Sequence, residues 1–426
     1  MIKYLSNASY GLKYWLRKGA TFLPIYRNEM KDISFDCRQD QDKALEDLIR
    51  YAIKNVPFYS GYGKYLTRGG VFDVNNLPII HKEDVCKNAE SFLSKEFSKG
   101  SLICSSTGGT TGVSTNIYSN RQDLIRNSVY TDYLFYLSGI KNYHICSIRE
   151  HDLKVEESYR IVGNRLMLAP FKVNKESIDF YVGKMKEFNV EILHCYPSSL
   201  LVLCKLLEGK EHGLDIKEIV VSSEILSKET IEISHKVFPN AKVVNFYGQT
   251  EFVALGYAVD GKTFQFFRNL SYIEFVDTGI KEGNNRIAEI VATNLKKKSM
   301  PLIRYAMGDY AVLDDKGCVI DIIGRTSDFL IDKQGNPHPA IITNRPHTMD
   351  NVVLVQYYQD TIGKVTYKII VNDRFKPEEV KAIEEDIYLE FGDSIDFRVE
   401  VVDTLEKTKR GKHKKVVQKL DVSKYI

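Results

Sequence analysis

The chain has 426 residues, of which 43% are hydrophobic and 27% are charged, and its formal net charge is +3. This composition is typical of a globular protein with two or three domains and a large core. A net charge so close to zero gives no reason to expect a nucleic-acid partner, and none is predicted. The seven cysteines are scattered and include no C-x-x-C pair, which favours reduced thiols in a cytoplasmic protein over a disulfide framework or a zinc site.

The N-terminal segment, residues 1–23, combines Tyr, Trp and Leu with four basic residues. It has no continuous apolar stretch like that of a secretion signal, and no run in the chain approaches the roughly 20 apolar residues that span a bilayer. Two interpretations stay open. The segment is either a helix docked on the body of the protein or a basic amphipathic helix on a membrane, which would place the protein at the inner face of that membrane.

The first half of the chain alternates between predicted helices and predicted strands. Apolar residues at helical spacing predict helices over residues 41–56, 121–138, 174–188 and 197–209. A turn at residues 76–80 leads into a further helix. Short apolar runs typical of buried strands lie at residues 192–195, 218–221 and 243–246. Strands that alternate with helices indicate a parallel α/β sheet.

The pattern changes after residue 260. Alternating segments separated by turns predict an antiparallel sheet formed by residues 263–267, 272–276, 287–293 and 310–313. Beyond Gly324-Arg325, the pattern predicts a small α+β unit with strands near 352–358 and 366–371, a helix at 376–391, a strand at 396–402 and a basic tail.

The predicted fold class is therefore α/β. A large N-terminal domain, residues 1–327, combines parallel α/β sheets with an antiparallel β subdomain, and its first part, residues 1–100, is helical. A small α+β C-terminal domain covers residues 328–426.

Eight consecutive Ser, Thr and Gly residues follow a short apolar strand at residues 102–104. They are Ser105, Ser106, Thr107, Gly108, Gly109, Thr110, Thr111 and Gly112. Glycines allow a tight turn that directs several backbone N–H groups at an anion, and hydroxyls add neutral donors, so the run is a candidate phosphate loop. No Gly-Lys-Ser/Thr closes it, so it is not a Walker loop. A flexible surface loop is the alternative.

Three further segments carry candidate ligand-binding residues. Residues 245–251, NFYGQTE, come directly after a predicted buried strand, where α/β sheets bind ligands. Its tyrosine can stack on a purine, its glycine allows close approach, and its carboxylate can hold Mg²⁺. Gly308-Asp309 offers a carboxylate for ribose hydroxyls, and Gly324-Arg325 offers a guanidinium for ribose or phosphate oxygens. Ordinary turn chemistry is the alternative for each pair.

The tail at residues 405–416 is strongly basic. A solvated face and a nucleic-acid patch are two generic interpretations of such a run. The third is a loop that delivers one lysine to a phosphate or carboxylate, and the pattern Thr-x-x-Gly-Lys at residues 408–412 fits this third interpretation.

Together these segments resemble the superfamily of acyl-CoA synthetases, peptide-synthetase adenylation domains and luciferases. The branch that appears most similar contains the phenylacetate–CoA ligases and their capsule-biosynthesis, CapK-like relatives. The resemblance covers almost the whole chain and is carried by residues 56–59, 105–112, 194–200, 221–227, 247–251, 303–305, 308–309, 324–325 and 408–412.

This resemblance implies an adenylate-forming ligase that uses ATP and Mg²⁺ to convert a carboxylic acid to acyl-AMP, with release of pyrophosphate. It implies that the 105–112 loop holds the β- and γ-phosphates. It assigns the rest of the nucleotide site to Ser222, Ser223, Glu224, Tyr247, Gly248, Gln249, Asp309 and Arg325, of which the first four line the adenine. Among these, Asp309 takes the ribose hydroxyls with help from Arg325.

The resemblance also implies the catalytic residues. Thr250 contacts the α-phosphate, Glu251 binds Mg²⁺, and Lys412 is the catalytic lysine of a mobile small domain. Asp328 falls at the hinge between the domains. Tyr196 or His194 borders the acyl pocket.

The chain departs from the superfamily pattern at two places. Val113-Ser114 stand where Pro-Lys often follows the phosphate loop, and Ala306 replaces the arginine of the usual Tyr-Arg-Thr-Gly-Asp motif, with Arg304 and Tyr305 just before it.

The acyl acceptor stays open. One hypothesis is amide formation with an amine on an amino sugar, a polysaccharide precursor or an amino acid, in capsular or surface polysaccharide biosynthesis. The alternative is a CoA ligase for an aryl or fatty acid, and a third class is a non-catalytic nucleotide-binding scaffold. The identity of the acid does not follow from spacing, because acyl pockets are built from residues far apart in the chain.

Overall fold

The computed structural model describes residues 22–33, 38–65, 73–106, 115–140, 143–149, 158–325, 329–340, 351–407 and 413–425. Its α-helices are α1 (Phe22–Lys31), α2 (Arg38–Asn55), α3 (Lys82–Lys87), α4 (Arg121–Leu134), α5 (Ile178–Glu187), α6 (Pro197–Leu207), α7 (Lys228–Val237) and α8 (Glu379–Phe391). Short 3-10 helices lie at Pro57–Tyr59, Tyr62–Tyr65, Val74–Asn76, Ala89–Phe92, Lys99–Ser101, Pro170–Lys172, Gly392–Ser394 and Val422–Lys424.

The strands of the large domain come first in the chain. They are β1 (Ile103–Ser106), β2 (Asn116–Ser119), β3 (Ile145–Ile148), β4 (Tyr159–Val162), β5 (Arg165–Leu168), β6 (Ile192–Cys195), β7 (Glu218–Ser222), β8 (Lys242–Gly248), β9 (Leu255–Val259), β10 (Gln265–Phe266), β11 (Ser271–Glu282), β12 (Asn285–Asn294), β13 (Tyr305–Leu313) and β14 (Val319–Arg325). The later strands are β15 (Phe329–Ile331), β16 (Pro337–Pro339), β17 (Val352–Thr361), β18 (Lys364–Val371), β19 (Asp396–Val401) and β20 (Val416–Gln418).

An eight-stranded sheet in the order β10-β9-β8-β7-β6-β3-β5-β4 forms the centre of the large domain. β5, β3, β6, β7 and β8 are parallel, while β4, β9 and β10 join antiparallel at the edges. Helices α5, α6 and α7 cover one face and α4 covers the other. Because both faces are buried, β6 and β7 are apolar along most of their length instead of alternating. The predicted parallel α/β sheet is confirmed.

A second sheet, in the order β11-β12-β13-β14, is antiparallel throughout, as the alternating segments predicted. The helical N-terminal part packs against it in one hydrophobic core. Tyr59, which is fully buried, fixes this contact because its hydroxyl donates to the Pro301 carbonyl and accepts from the Ile303 N–H, both at 3.0 Å. Arg304 adds a buried ion pair to Glu274 at 2.7 Å. The 56–59 and 303–305 motifs therefore hold the large domain together.

The C-terminal part forms a four-stranded sheet, β19-β18-β17-β20, with α8 packed on it. Residues 416–418, which the sequence analysis assigned to a basic tail, are instead strand β20 and pair in parallel with β17. Val416 and Val417 are buried there, and these two apolar residues account for the strand. Residues 326–328, with the predicted domain boundary and hinge residue Asp328, lie outside the described part of the chain.

Two predicted helices are four or five residues shorter than the sequence pattern indicated. The helix predicted over 121–138 ends at Leu134, because the next N–H groups, from Phe135 and Tyr136, bond to the carbonyls three residues back and so tighten the chain. The helix predicted over 174–188 begins at Ile178, after a turn in which Asn174 and Ser177 bond each other. The elements that were not predicted are strands β2, β3, β4, β5, β9, β14, β15 and β16 and helices α1 and α7.

Within the described residues, no helix combines the length and the apolar character needed to cross a bilayer. Residues 1–21, which hold most of the predicted membrane-facing segment, lie outside the described part.

Glu218, at the start of β7, provides a pH-dependent test of the central sheet. It is fully buried, accepts a hydrogen bond from the Ser138 hydroxyl, and burial raises its pKa to about 7. Between its ordinary pKa and pH 7, the folded state therefore binds a proton that the unfolded chain has lost. The wild-type free energy of unfolding should thus fall as pH rises through this window, by up to about 3 kcal/mol relative to Glu218→Gln.

Urea unfolding of both proteins at pH 4.5, 6 and 8 measures this difference. Glu232→Gln, at an exposed position on α7, is the matched control and should follow the wild type. Free energies of unfolding that change with pH in the same way for the wild type and Glu218→Gln would contradict the prediction.

Candidate active site

Four adjacent parallel strands of the central sheet end at one edge, and polar or aromatic residues follow them directly. Arg149 follows β3, Tyr196 follows β6, Ser223 follows β7 and Gln249 follows β8. Ligands of α/β proteins bind at the carboxyl ends of such strands. This edge is therefore the candidate active site, and it includes two predicted segments, 222–224 and 247–251.

Tyr247 and Asp309 connect the central sheet to the antiparallel sheet at this edge. The Tyr247 hydroxyl on β8 donates to Oδ2 of Asp309 on β13 at 2.8 Å, although the residues are 62 positions apart. Burial, reinforced by the Asp309 charge, raises the pKa of Tyr247 well above its ordinary value, so the hydroxyl stays protonated and donates. Asp309 is also paired in register with Arg325 on β14, whose side chain is outside the described part.

The turn after β8 is fixed by hydrogen bonds on several sides. Gln249 accepts two backbone N–H groups from within the turn, on its carbonyl at 3.1 Å and on its side chain at 3.2 Å. The Asn294 side chain donates to the Phe252 carbonyl at 2.5 Å. Phe252 has φ +58°, an uncommon value for an aromatic residue that persists only where the surroundings enforce it. The backbone that carries Glu251 is therefore held in one conformation.

Gly248, just before this turn, is required by packing. A Cβ at this position would lie 2.7 Å from Cδ2 of Leu255 and 3.1 Å from the Phe246 ring. A side chain here would therefore have to displace the Leu255 or Phe246 side chain.

Glu251 offers a partly exposed carboxylate at the same edge, next to the exposed Thr250. Its Oε1 accepts a hydrogen bond from the Tyr305 hydroxyl at 3.3 Å. Burial, together with the Glu251 charge, raises the pKa of Tyr305, so this hydroxyl also stays a donor. The described residues contain no group of three or more His, Cys, Asp or Glu that could hold a metal. A single carboxylate fits Mg²⁺ when nucleotide phosphates and water supply the other ligands.

Lys297 lies behind this turn and was missed by the sequence analysis. It is 2% exposed, and its Nζ donates to the Glu251 carbonyl at 3.3 Å. Burial lowers the pKa of Lys297 to about 8, although the charges of Asp123 and Glu251 act in the opposite direction. The residue belongs to a run of three lysines, 296–298, and such a run is typical of a solvated surface.

The candidate phosphate loop joins the two strands of an antiparallel hairpin, β1 and β2. Ser105 and Ser106 end β1, and Ser106 is paired in register with Asn116 on β2. Residues 107–112, the rest of the predicted loop, lie outside the described part. The Ser299 hydroxyl donates to the Tyr118 carbonyl at 3.4 Å, so the hairpin is attached to the segment that carries Lys297.

Glu224 joins the two domains. Its Oε2 accepts the Ser198 N–H at the start of α6 at 3.0 Å, and its Oε1 accepts the His413 N–H of the small domain at 2.9 Å. His413 directly follows the predicted catalytic lysine, Lys412, which is itself outside the described part. Burial lowers the pKa of His413 to about 4, so this residue is neutral. The small-domain segment is therefore held at the candidate site by a carboxylate that was predicted only to line adenine.

Ser222 and Ser223 end β7 beside Glu224. Ser222 is buried, whereas Ser223 is exposed and has φ +73°, which is unusual for a serine. The two hydroxyls lie 3.5 Å apart. Backbone strain of this kind is concentrated at ligand sites.

A cationic cluster that the sequence analysis missed lies at the other end of this edge. Nη1 of Arg149 is 2.6 Å from Nε2 of His194, and its Nη2 donates to the Ser223 hydroxyl at 3.1 Å. Nη1 of Arg165 is 3.4 Å from the other ring nitrogen of His194. The Arg149 guanidinium also lies over the Tyr196 ring, 5.1 Å from its centroid. His194 and Tyr196, the predicted acyl-pocket residues, thus share their surroundings with two arginines.

The contact between Glu224 and His413 can be tested by hydrogen exchange. The His413 N–H is bound by a carboxylate in a partly buried position, so its hydrogen should exchange slowly with solvent. Glu224→Ala should accelerate this exchange at least about 10-fold, because the charged acceptor is lost. Amide hydrogen exchange, resolved to residues 413–419, measures this acceleration. Glu229→Ala, which removes a surface pair to Lys205, is the control and should leave it unchanged. Equal exchange in Glu224→Ala and wild type would show that the contact does not hold the domains together.

The comparisons with known proteins agree with this geometry. Residues 333–419 match the CapK C-terminal domain family. Protein CapK of Staphylococcus aureus is 27% identical over 405 residues, 87% of each chain. Phenylacetate-coenzyme A ligase of Thermus thermophilus is 22% identical over 388 residues, 82% of this chain and 85% of the relative.

Solved structures with this fold include a 2-hydroxyisobutyryl-CoA ligase. Its postadenylation state has a TM-score of 0.64 at 12% identity, covering 91% of this chain and 90% of the ligase. Its thioesterification state has a TM-score of 0.52 at 14% identity, with 92% of each chain covered. The resemblance inferred from the motifs is confirmed: the chain is similar to CapK and phenylacetate–CoA ligase over most of its length and has the fold of the adenylate-forming ligases.

Proposed function

We propose that the protein adenylates a carboxylic acid with ATP, releases pyrophosphate, and then transfers the acyl group to an amine in the assembly of a surface polysaccharide. The observation that carries this proposal is the convergence of Tyr247, Asp309 and the Glu251 turn at one sheet edge, with the residue after Lys412 bound there through Glu224. We also propose residues 1–327 and 328–426 as the two domains.

The nucleotide would bind across the ends of β7 and β8. Ser222, Ser223 and Tyr247 would border the adenine, and the Tyr247 hydroxyl orients Asp309 for the ribose hydroxyls by occupying Oδ2. Arg325, opposite Asp309 on the next strand, would assist there. The 105–112 hairpin loop would supply N–H and hydroxyl donors to the β- and γ-phosphates.

In the chemical step, a carboxylate oxygen of the acid attacks the α-phosphorus in line. A new P–O bond forms to the acid, the bond to the β-phosphate oxygen breaks, and pyrophosphate leaves with that electron pair. Mg²⁺ held by Glu251 would neutralise the charge of the phosphates. Thr250 would donate to the α-phosphate, and Lys412 would bridge the acid and the α-phosphate, which reduces their mutual repulsion.

The domain arrangement supports the adenylation step in particular. The His413 bond to Glu224 keeps the segment after Lys412 at the site, and the fold agrees better with a postadenylation state than with a thioesterification state of a related ligase. A later rotation of the small domain would expose the acyl-adenylate to the acceptor.

Replacement of Lys412 tests the adenylation role. Lys412→Ala should lower acid-dependent ATP–pyrophosphate exchange at least about 10²-fold, because one preorganised cation is lost from the transition state. Lys419→Ala, an exposed lysine on the same C-terminal segment, is the matched control and should retain full exchange. Exchange by Lys412→Ala at the wild-type rate would remove this residue from the mechanism.

The acceptor is tested after adenylation is established. The relation to CapK supports an amine, whereas the phenylacetate–CoA ligase relative supports CoA as the alternative. With an acid that sustains exchange, we expect amide formation with an amino sugar or an amino acid, and no thioester with CoA, as separated by mass spectrometry. A thioester formed at a rate that matches adenylation would establish the CoA ligase instead.

A third class, a nucleotide-binding scaffold without catalysis, is disfavoured because Glu251, Asp309, Arg325 and Lys412 are all present in the sequence. Binding of ATP without exchange across a broad panel of acids would support it.

A further inference from the structure

We propose that the acid substrate carries a second negatively charged group, a carboxylate or a phosphate-like oxyanion, and that Arg149 binds it. This inference rests on the adenylation function proposed above and specifies the substrate class of the same site.

The position of Arg149 suits the distal end of an acyl group. Arg149, Tyr196 and Ser223 are the first residues after β3, β6 and β7, which are neighbours in the sheet. With strands about 4.8 Å apart, the backbones at Arg149 and Ser223 are separated by roughly 10 Å. The nucleotide residues Tyr247 and Asp309 lie on the opposite side of Ser223. The Arg149 side chain extends back over Tyr196 to the Ser223 hydroxyl, so the far end of an acid that reaches from the nucleotide toward β3 meets the guanidinium over Tyr196.

The Arg149 guanidinium is preorganised by contacts to uncharged groups. Its hydrogen bonds go to the His194 ring and the Ser223 hydroxyl, and its plane lies over Tyr196. Among the residues that the structure describes, no carboxylate pairs with it. A guanidinium has five N–H donors, so two hydrogen bonds leave donors for a ligand. The Ser223 contact is solvent-exposed, which shows that this end of the guanidinium is accessible from the site.

The surroundings add positive potential. Arg165 approaches the other nitrogen of the His194 ring, so two guanidinium groups flank one imidazole. Partly buried cations in such proximity repel one another and favour an added anion. The carboxylate oxygens of Glu224 each accept a backbone N–H, from Ser198 and from His413. A planar oxyanion group suits the fork of an arginine, which can bind it with two parallel hydrogen bonds.

Matched pairs of acids test the inference by ATP–pyrophosphate exchange. Succinate, glutarate and adipate are compared with their uncharged half-amides, and 3-phosphonopropionate separates a phosphate-like from a carboxylate preference. For the wild type we expect kcat/KM to favour the charged member of the best pair by at least about 10-fold, because a charge-assisted hydrogen bond is lost in the half-amide.

Arg149→Gln should reduce this charged-to-uncharged ratio to near one, and Arg149→Lys should restore part of it. Arg398→Gln replaces an arginine whose side chain is 79% exposed in the small domain, and it should leave the ratio unchanged. The ratio is insensitive to a partly unfolded sample, because both acids are turned over by the same folded fraction.

Three other results would overturn the inference, and each identifies a different error in it. Exchange at equal kcat/KM with glutarate and glutaramate would refute the anion site and leave the adenylation function intact. An Arg149→Gln protein with a raised KM for ATP and an unchanged ratio would assign Arg149 to the nucleotide. No exchange with any acid would refute the adenylation function itself, and the inference with it.

Discussion

The rest of the site depends on the two hydrogen bonds that the Glu224 carboxylate accepts. It accepts one N–H from the start of α6 and one from His413, so one side chain of the large domain binds the small-domain segment that follows Lys412. Charge-assisted bonds to backbone donors are stronger than neutral ones and tolerate little displacement. Because His413 directly follows Lys412, we propose that this contact brings the lysine to the edge where the proposed nucleotide residues lie.

The large domain supplies the fixed part of the site. The Tyr247 bond to Asp309 joins two sheets, and the Glu251 turn is held by Asn294 and by the buried Lys297. Adenylation needs little covalent participation by the protein. A rigid arrangement of hydrogen-bond donors together with one movable cation is therefore sufficient for the reaction. At the far end of the same edge, His194 and Ser223 position Arg149, and on this we base the proposal that the acid is recognised by charge.

Much of the fold was readable from the sequence, because apolar runs report burial directly. β6 was predicted with its observed bounds, and three of the four strands in the sheet β19-β18-β17-β20 were predicted. Strand β3 was missed because four residues, ICSI, followed by an arginine resemble a loop, and β20 because basic residues surround it. The motifs located Tyr247, Glu251 and Asp309, but pairings such as Arg149 with His194, 45 positions apart, cannot be inferred from spacing.

The most direct test of the central claim follows the oxygen atoms. The acid is labelled with ¹⁸O in its carboxylate, and the reaction is run with ATP, Mg²⁺ and hydroxylamine as acceptor. If the carboxylate attacks the α-phosphorus, one labelled oxygen remains on the phosphorus after acyl transfer, so the account predicts one ¹⁸O in the AMP, detected by mass spectrometry. Label in inorganic phosphate with formation of ADP, or unlabelled AMP, would contradict the account.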